Sequence, residues 1–454
     1  MKTARESMHV DDKKRMLSLI FSIAFQQFML ALVSASDAIM LGSLSQNAMS
    51  AVSLATQVTF VENLFLSTMT IGLSMLAAQY WGKKDISAVE RIFTYVLKIT
   101  ITISAIFFLV SAIVPAGLMR IFTNDSELIT GGASYLQAVS VSYLLTGVSQ
   151  IYLCVMKNCG KAGKASIISS VSVVLNIVFN VLFIFGLLGI PRLGIIGAAI
   201  ATVIARVIEV AWCLIETKWN GQIHLKRNHF VHNDKLLITD FWKYTSPVLG
   251  NEIVWGVGFT MYSVIMGHLG SDAVAANSIA NIAKNLVSCF CLGLGSGGGI
   301  IVGNMLGAGE LENAKKYGRK LCILSVFLGA LSGLFLLTVS PIVLYFVNLT
   351  SVANGYLRGM LIMCSYYMIG KSINSTTISG IFCAGGDSKF GFLCDTITMW
   401  CVTVPLGFIA AFMLKLPVLA VYFIINLDEI VKLPVVYKHY KKYLWVKDLT
   451  KKSK

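Results

Sequence analysis

Charge is scarce in this sequence of 454 residues: Asp, Glu, Lys and Arg together make up 13%, about half the share usual in a soluble globular domain. That scarcity excludes an ordinary water-soluble fold. Strict alternation of apolar and polar residues is missing as well, which excludes a membrane β-barrel. The first fifteen residues, MKTARESMHVDDKKR, are polar and lead to no short apolar core with a cleavage site, so no cleavable signal peptide is expected. The ten cysteines include Cys154, Cys289, Cys291, Cys364, Cys383 and Cys401, in or beside apolar runs. None has metal-ligand spacing or a paired histidine, so they read as free buried thiols. A single G-x-G-x-x-G match, Gly293 to Gly298, has no strand before it and lies within an apolar helix. Close helix packing by small residues explains it better than a nucleotide. There is no P-loop, and no clustered His/Asp or paired acidic motif such as a membrane-embedded lipid-modifying enzyme would need. The chain is not expected to be an enzyme, and no cofactor is implied.

What the sequence does have is apolar length. Hydrophobic residues make up 56% and the mean hydropathy is +0.75. Long apolar runs recur, each near the ~20 residues that cross a bilayer core as a helix. The fold class is an all-α polytopic membrane protein with about twelve spans, at 16–41, 48–78, 92–115, 132–156, 165–188, 195–216, 242–267, 273–303, 319–345, 353–382, 391–413 and 417–436.

The net charge of +15 does not point to nucleic acid, because of where it falls. Lys83, Lys84, Arg91, Lys157, Lys161, Lys164, Lys226, Arg227, Lys315, Lys316, Arg319 and Lys320 occupy alternate loops, and both tails are basic. The loops between hold little beyond Arg120, Arg192, Arg358 and Lys415. This positive-inside bias puts both termini in the cytoplasm, in a plasma (inner) membrane, and requires an even number of crossings.

One half of the chain repeats the other. Leu44 pairs with Leu269, Gly82 with Gly307, Asp85 with Glu310, Pro115 with Pro341, and Gly160 with Gly385; apart from the proline pair the offset is 225. Both halves start on the same side, so the repeats are parallel and related by an axis along the membrane normal, as in several secondary transporters. Two such bundles can rock and expose a central cleft to one side at a time. The expected division is an N-terminal six-helix lobe over 1–216, a cytoplasmic linker over 217–240 and a C-terminal lobe over 241–454. The linker holds His224, His229 and His232, read as solvated rather than as a metal site.

Ionisable residues inside spans mark cavities, partners or relays. Asp37 lies near the outer end of span 1 among Ser34, Ser36 and Ser43, either solvated at the headgroups or facing a cavity. Asn176 and Asn180 share a face of span 5, and Thr202 lies in span 6. These can make ordinary interhelical hydrogen bonds, or they can converge on Asp37 to hold a cation or a proton. Arg206 and Glu209, one turn apart, read as a structural pair. Glu252 lies behind Pro247 in span 7, opposite Gln27 in the repeat. It reads either as a carboxylate attracting organic cations or as the partner of a nearby lysine. Glu62, Lys284, Lys371 and Asp395 are further intramembrane charges, with Lys371–Asp395 one expected pairing.

Several stretches together resemble a family. They are SDAIMLGSLS, AVSLATQ, AAQYWGKKD, NIVFNVLFIFG and LGIIGAAIATVIAR in the first half, and MGHLGSDAVAANSIA, VGNMLGAGE, AGGDSKF and DTITMWCVTVP in the second. In this order they are similar to the multidrug and toxic compound extrusion (MATE) transporters. The resemblance implies twelve helices in two lobes. It also implies export of cationic or amphiphilic compounds in exchange for H+ or Na+. Its N-lobe cation site uses an Asp of span 1, matched by Asp37, with polar residues of spans 5 and 6, matched by Asn176, Asn180 and Thr202. The second half departs from the pattern: Trp255 and Lys371 stand where acidic residues are usual. A C-lobe sodium site is therefore not expected, since a lysine cannot bind Na+. Gln27, Glu252, Trp255, Lys371 and Asp395 remain as substrate-cavity candidates, with the only possible metal an Na+ at Asp37. The expected partners are small organic cations and the lipid bilayer, for a chain acting as a monomer. A flippase for a lipid-linked or polysaccharide precursor is the alternative, disfavoured because the inward charges are mixed.

Overall fold

The computed structural model describes residues 2–189, 191–220, 223–226, 229, 234–347 and 349–451. Among them every regular element is a helix. The first half forms α1 (Lys2–Gly42), α2 (Gln46–Gly82), α3 (Ile86–Ile113), the short α4 (Pro115–Phe122), α5 (Ser126–Asn158), α6 (Ala162–Phe185) and α7 (Gly194–Asn220). The second half forms α8 (Lys235–Gly267), α9 (Ser271–Gly307), α10 (Leu311–Phe346) and α11 (Ser351–Asn374), the last continued by a π-helical stretch, Ser375–Phe382. It ends with α12 (Ser388–Met413), α13 (Val418–Ile425), α14 (Asp428–Val431) and α15 (Leu433–Tyr440).

Ten of these helices are long and apolar enough to cross a membrane: α1 to α3, α5 to α10, and α12. The other two expected spans are present but do not meet that measure, for physical reasons. The span over 353–382 carries Arg358 and Lys371 and changes to π-helix at Ser375. The span over 417–436 breaks into α13, α14 and α15 between Asn426 and Pro434, and buries Asp428, Glu429 and Lys432. Span 3 also ends early, because Pro115 opens α4 as its first residue rather than closing α3.

Turns are set by local chemistry. Asp85 caps α3 by accepting from the Ala88 N–H, Asp125 caps α5 through the N–H groups of Glu127 and Leu128, and Thr350 caps α11 through Ala353. The turn after α2 places Lys84 in the left-handed region (φ 63), and its repeat partner after α9, Gly309, adopts the same conformation (φ 79).

The chain divides into two compact units. The N-unit comprises Met29–Ala77 and Asp85–Phe241, and the C-unit Met1–Phe28, Ala78–Lys84 and Trp242–Lys454. Helices α1 and α2 thus contribute to both. The N-unit core gathers Leu41, Ala55, Met119, Leu136, Tyr143 and Ala199. The C-unit has two clusters, one around Met360, Leu361, Met368 and Tyr422, the other around Leu294, Leu306, Phe382 and Trp445.

Inside the C-unit the end of α2 meets the end of α9 so closely that side chains are excluded. A Cβ on Gly82 would fall on the backbone of Asn304, and one on Gly307 would fall on the backbone of Gln79. Beyond α15 the chain folds back as a strap. Trp445 is fully buried, stacked on Tyr440 at 5.7 Å. The Gln79 amide donates to the Ala384 and Lys447 carbonyls (2.7 and 3.1 Å), and its oxygen accepts from the Leu449 N–H at 2.6 Å. Lys83 reaches the carbonyl of Thr450 at 3.3 Å.

The linker is shorter than expected, since α7 runs to Asn220 and α8 starts at Lys235. In its described part His224 is exposed, as expected, and His229 is half-buried, while the His224 N–H donates to Glu90 at 3.0 Å and Lys226 pairs with the same carboxylate at 2.7 Å. His232 and Arg227 lie outside the described residues. Among those described, no group of three His, Cys, Asp or Glu residues could hold a metal. All ten cysteines are free, and eight are buried; Cys401 departs from the expectation by being exposed, and Cys322 is half-buried.

Candidate functional site

Three helices of the N-unit converge on Asp37. It lies five residues before the end of α1, half-buried. Asn176 and Asn180 are one turn apart on the buried face of α6, and Thr202 faces them from α7. Each position follows from helical periodicity: the polar residues recur at four-residue spacing, and the bilayer leaves them no partners but each other.

The contacts form one chain of hydrogen bonds. Asn180 Nδ2 donates to Asp37 Oδ1 at 2.5 Å and to Asn176 Oδ1 at 3.1 Å. Asn176 Nδ2 donates to Thr202 Oγ1 at 3.2 Å, and the Thr202 hydroxyl donates to the Ala198 carbonyl at 3.0 Å. The structure thus brings together all four residues singled out from the sequence. Asn180 is completely buried, yet its Oδ1 accepts no hydrogen bond. An orphaned carbonyl oxygen beside a carboxylate is what a hard cation takes as ligands. The carboxylate alone can instead carry a proton. No lysine or arginine nitrogen among the described residues comes within 4.0 Å of Asp37 to neutralise it.

The C-unit candidates are arranged differently. Trp255 stacks on Phe259 (5.6 Å between ring centroids), and the Lys371 ammonium lies 5.9 Å from the Trp255 ring. The expected Lys371–Asp395 pairing does not form. Lys371 instead meets Glu429 Oε1 at 3.2 Å, and Asp395 meets Lys432 at 2.8 Å. Lys432 also holds Glu429 Oε2 at 3.2 Å, and Asn374 Nδ2 donates to that oxygen at 2.7 Å. Glu252 and Gln27 are half-buried. Sequence reasoning missed Glu429 and Lys432 as partners. Their signal was present in LDEIVK, three charges in a stretch that otherwise reads as span 12.

The repeat does not duplicate the N-unit arrangement. At the offset of 225, Asp37 corresponds to Tyr262, whose hydroxyl is 2.6 Å from that of Thr403. The same offset takes Asn176 to Cys401 and Asn180 to Pro405.

Comparison with known proteins gives a consistent picture. A family model described as MatE matches residues 22–182 and 247–409. Among curated relatives, the uncharacterized transporter YisQ of Bacillus subtilis is 22% identical over 95% of this chain and 94% of its own length. The probable multidrug resistance protein YoeA of the same organism is 24% identical over 84% of each. Among solved structures, a MOP superfamily transporter from Pyrococcus furiosus, described as having a binding pocket of reversed polarity, superposes with a TM-score of 0.87. It covers 97% of both chains at 16% identity. A variant of the Vibrio cholerae MATE transporter VcmN also gives 0.87, covering 96% of this chain and 98% of its own, at 16% identity.

Proposed function

Because the chain belongs to the MatE family of transporters, we propose that it is a secondary antiporter exporting cationic or amphiphilic drugs and xenobiotics in exchange for H+ or Na+. The observation that carries this reading is the buried chain Asp37–Asn180–Asn176–Thr202 with its unpartnered Asn180 oxygen. Relatives named as multidrug resistance proteins support the substrate class. The protein works by alternating access in the plasma membrane with both termini in the cytoplasm, as the distribution of its basic loops favours.

In the proposed cycle a proton or Na+ from outside binds the Asp37 carboxylate. Neutralising that charge changes what Asn180 and Asn176 can donate to, so the α1, α6 and α7 contacts rearrange and substrate is released outward. Na+ would take one Asp37 oxygen and Asn180 Oδ1. A proton would occupy the carboxylate alone. The buried charges of the C-unit are mixed, Lys371 and Lys432 against Asp395 and Glu429. This suits an amphiphile better than the pyrophosphate of a flippase substrate, which calls for a strongly cationic surface.

The test is efflux of a fluorescent organic cation from proteoliposomes under H+ and Na+ gradients imposed separately. One gradient should drive efflux, and Asp37→Asn should abolish it with insertion and expression intact. Wild-type efflux in D37N would remove Asp37 from the mechanism.

A further inference from the structure

The N-unit buries four glutamates to less than a tenth of their surface: Glu62, Glu90, Glu209 and Glu216. Three have a cation. Glu90 meets Lys226 at 2.7 Å, Glu209 meets Arg206 at 2.6 Å, and Glu216 meets Lys164 at 2.6 Å and Lys161 at 3.8 Å. Glu62, 1% exposed near the midpoint of α2, has no basic nitrogen within 4.0 Å among the described residues. Burying a carboxylate without a cation costs several kcal/mol, so such a group takes up a proton or waits for a charge to arrive.

What surrounds Glu62 is a set of hydroxyls. Ser104 Oγ on α3 donates to Glu62 Oε1 at 3.0 Å. Thr100 and Ser111 lie on the same face of α3, four residues before and seven after, all three fully buried. The Thr100 hydroxyl is buried without a partner. Tyr143 on α5 faces Glu62 and Ser111, and its hydroxyl lies 3.4 Å from that of Thr59, one turn before Glu62 on α2. Gly147, one turn from Tyr143, leaves the space that the Ser104 hydroxyl fills, for a Cβ there would overlap it. The charged group reaching Glu62 from α7 is Arg206, whose guanidinium is already held by Glu209. A helix face of hydroxyls leading to a lone buried carboxyl is excessive for packing and suited to moving protons.

We propose that Glu62 is a second proton-exchange site of the transport cycle, separate from Asp37, with Ser104, Thr100 and Tyr143 as its relay. In one half-cycle an O–H bond forms on a Glu62 oxygen at the expense of water. In the other it breaks and the proton returns to water; no other bond changes. This rests on reading the chain as an ion-coupled exporter, but it concerns a different residue and a different readout.

The experiment measures protons released when tetraphenylphosphonium is added to the purified full chain in weakly buffered detergent. D37N, E62Q, the double variant, S104A and E62D are compared with wild type. We expect D37N and E62Q each to halve the protons released per cation bound, the double variant to release none, and S104A to keep the wild-type count with a shifted pH midpoint. E62D, which keeps a carboxyl, should restore release and serves if E62Q does not fold. Wild-type release from E62Q, or loss of release in E62D as complete as in E62Q, would overturn the proposal. No proton release from wild type would overturn it too, while leaving the exporter reading intact if an Na+ gradient drives efflux. Unchanged release from D37N with halved release from E62Q would overturn only the role of Asp37.

Discussion

At the scale of single residues, the N-unit site depends on Asn180 more than on any other neutral side chain. It donates to Asp37 and to Asn176, and its oxygen has no protein partner. Replacing Asn180 by Leu keeps the volume and removes all three functions. A hydrogen bond to a charged group contributes about 1.5–3 kcal/mol. Losing the bond donated to the carboxylate leaves its charged form less stabilised, so a proton-coupled N180L should need roughly 10- to 100-fold less H+, whereas a sodium-coupled one, which loses the Oδ1 ligand as well, should need more Na+, at 1.4 kcal/mol per decade. Thr202→Val, at the far end of the chain of bonds, should cost less than about tenfold on the same scale. Ion-concentration dependence of efflux checks both. The meeting of these residues was legible in the sequence, because helical spacing fixes faces and a bilayer offers polar groups no alternative partner. The partner of Lys371 was not legible. Choosing between Asp395 and Glu429 depends on the break between α13 and α14, which brings Glu429 beneath α11 and which no periodicity announces.

At the scale of elements, the internal repeat of the sequence reappears as geometry. The contact of Gly82 with Asn304 becomes the contact of Gly307 with Gln79 when each residue is exchanged for its partner 225 positions away. The ends of α2 and α9 therefore meet through two equivalent close approaches. Because backbone meets backbone there, Gly82→Ala and Gly307→Ala should each destabilise by on the order of 3 kcal/mol and lower the melting temperature in detergent to a similar extent. The turn that follows carries a contrary prediction. Lys84 pays for a left-handed φ that its counterpart Gly309 adopts without strain. Relieving it with Lys84→Gly should stabilise by about 1 kcal/mol or less, once the flexibility of glycine in the unfolded chain is subtracted. The repeat was legible because glycines at a crossing cannot be replaced without moving backbone. The π-helical stretches Ser375–Phe382, Ile397–Thr403 and Ile409–Met413 were not, because they shift the side-chain register without any change in apolar content.

At the scale of the whole molecule, duplication has preserved the framework and not the chemistry. The helices correspond between halves, whereas the positions of the N-unit carboxylate and amides are taken by Tyr262, Cys401 and Pro405 in the repeat. The C-unit instead pairs Lys371 with Glu429 and Lys432 with both Glu429 and Asp395, and holds the strap over Gln79. Trp445 is the largest fully buried side chain among the described residues, so Trp445→Ala should cost about 3–5 kcal/mol. It should be read as a lower detergent melting temperature, with the coupling ion still required at the wild-type concentration. A shifted ion requirement in W445A would mean the strap does more than hold the fold.

The strap also has a consequence for biosynthesis. Gln79 is inserted early, but the groups that satisfy it, the Ala384 and Lys447 carbonyls and the Leu449 N–H, belong to residues 305, 368 and 370 positions later. Contacts of such sequence separation are late to form. The Gln79 nitrogen therefore has no native partner until Ala384 has been made, and its oxygen has none until Leu449 has been made. Truncation before Lys447 removes the partner of the Gln79 oxygen and one of the two carbonyls its amide reaches, and so loosens the end of the second helix from 368 and 370 residues away along the chain.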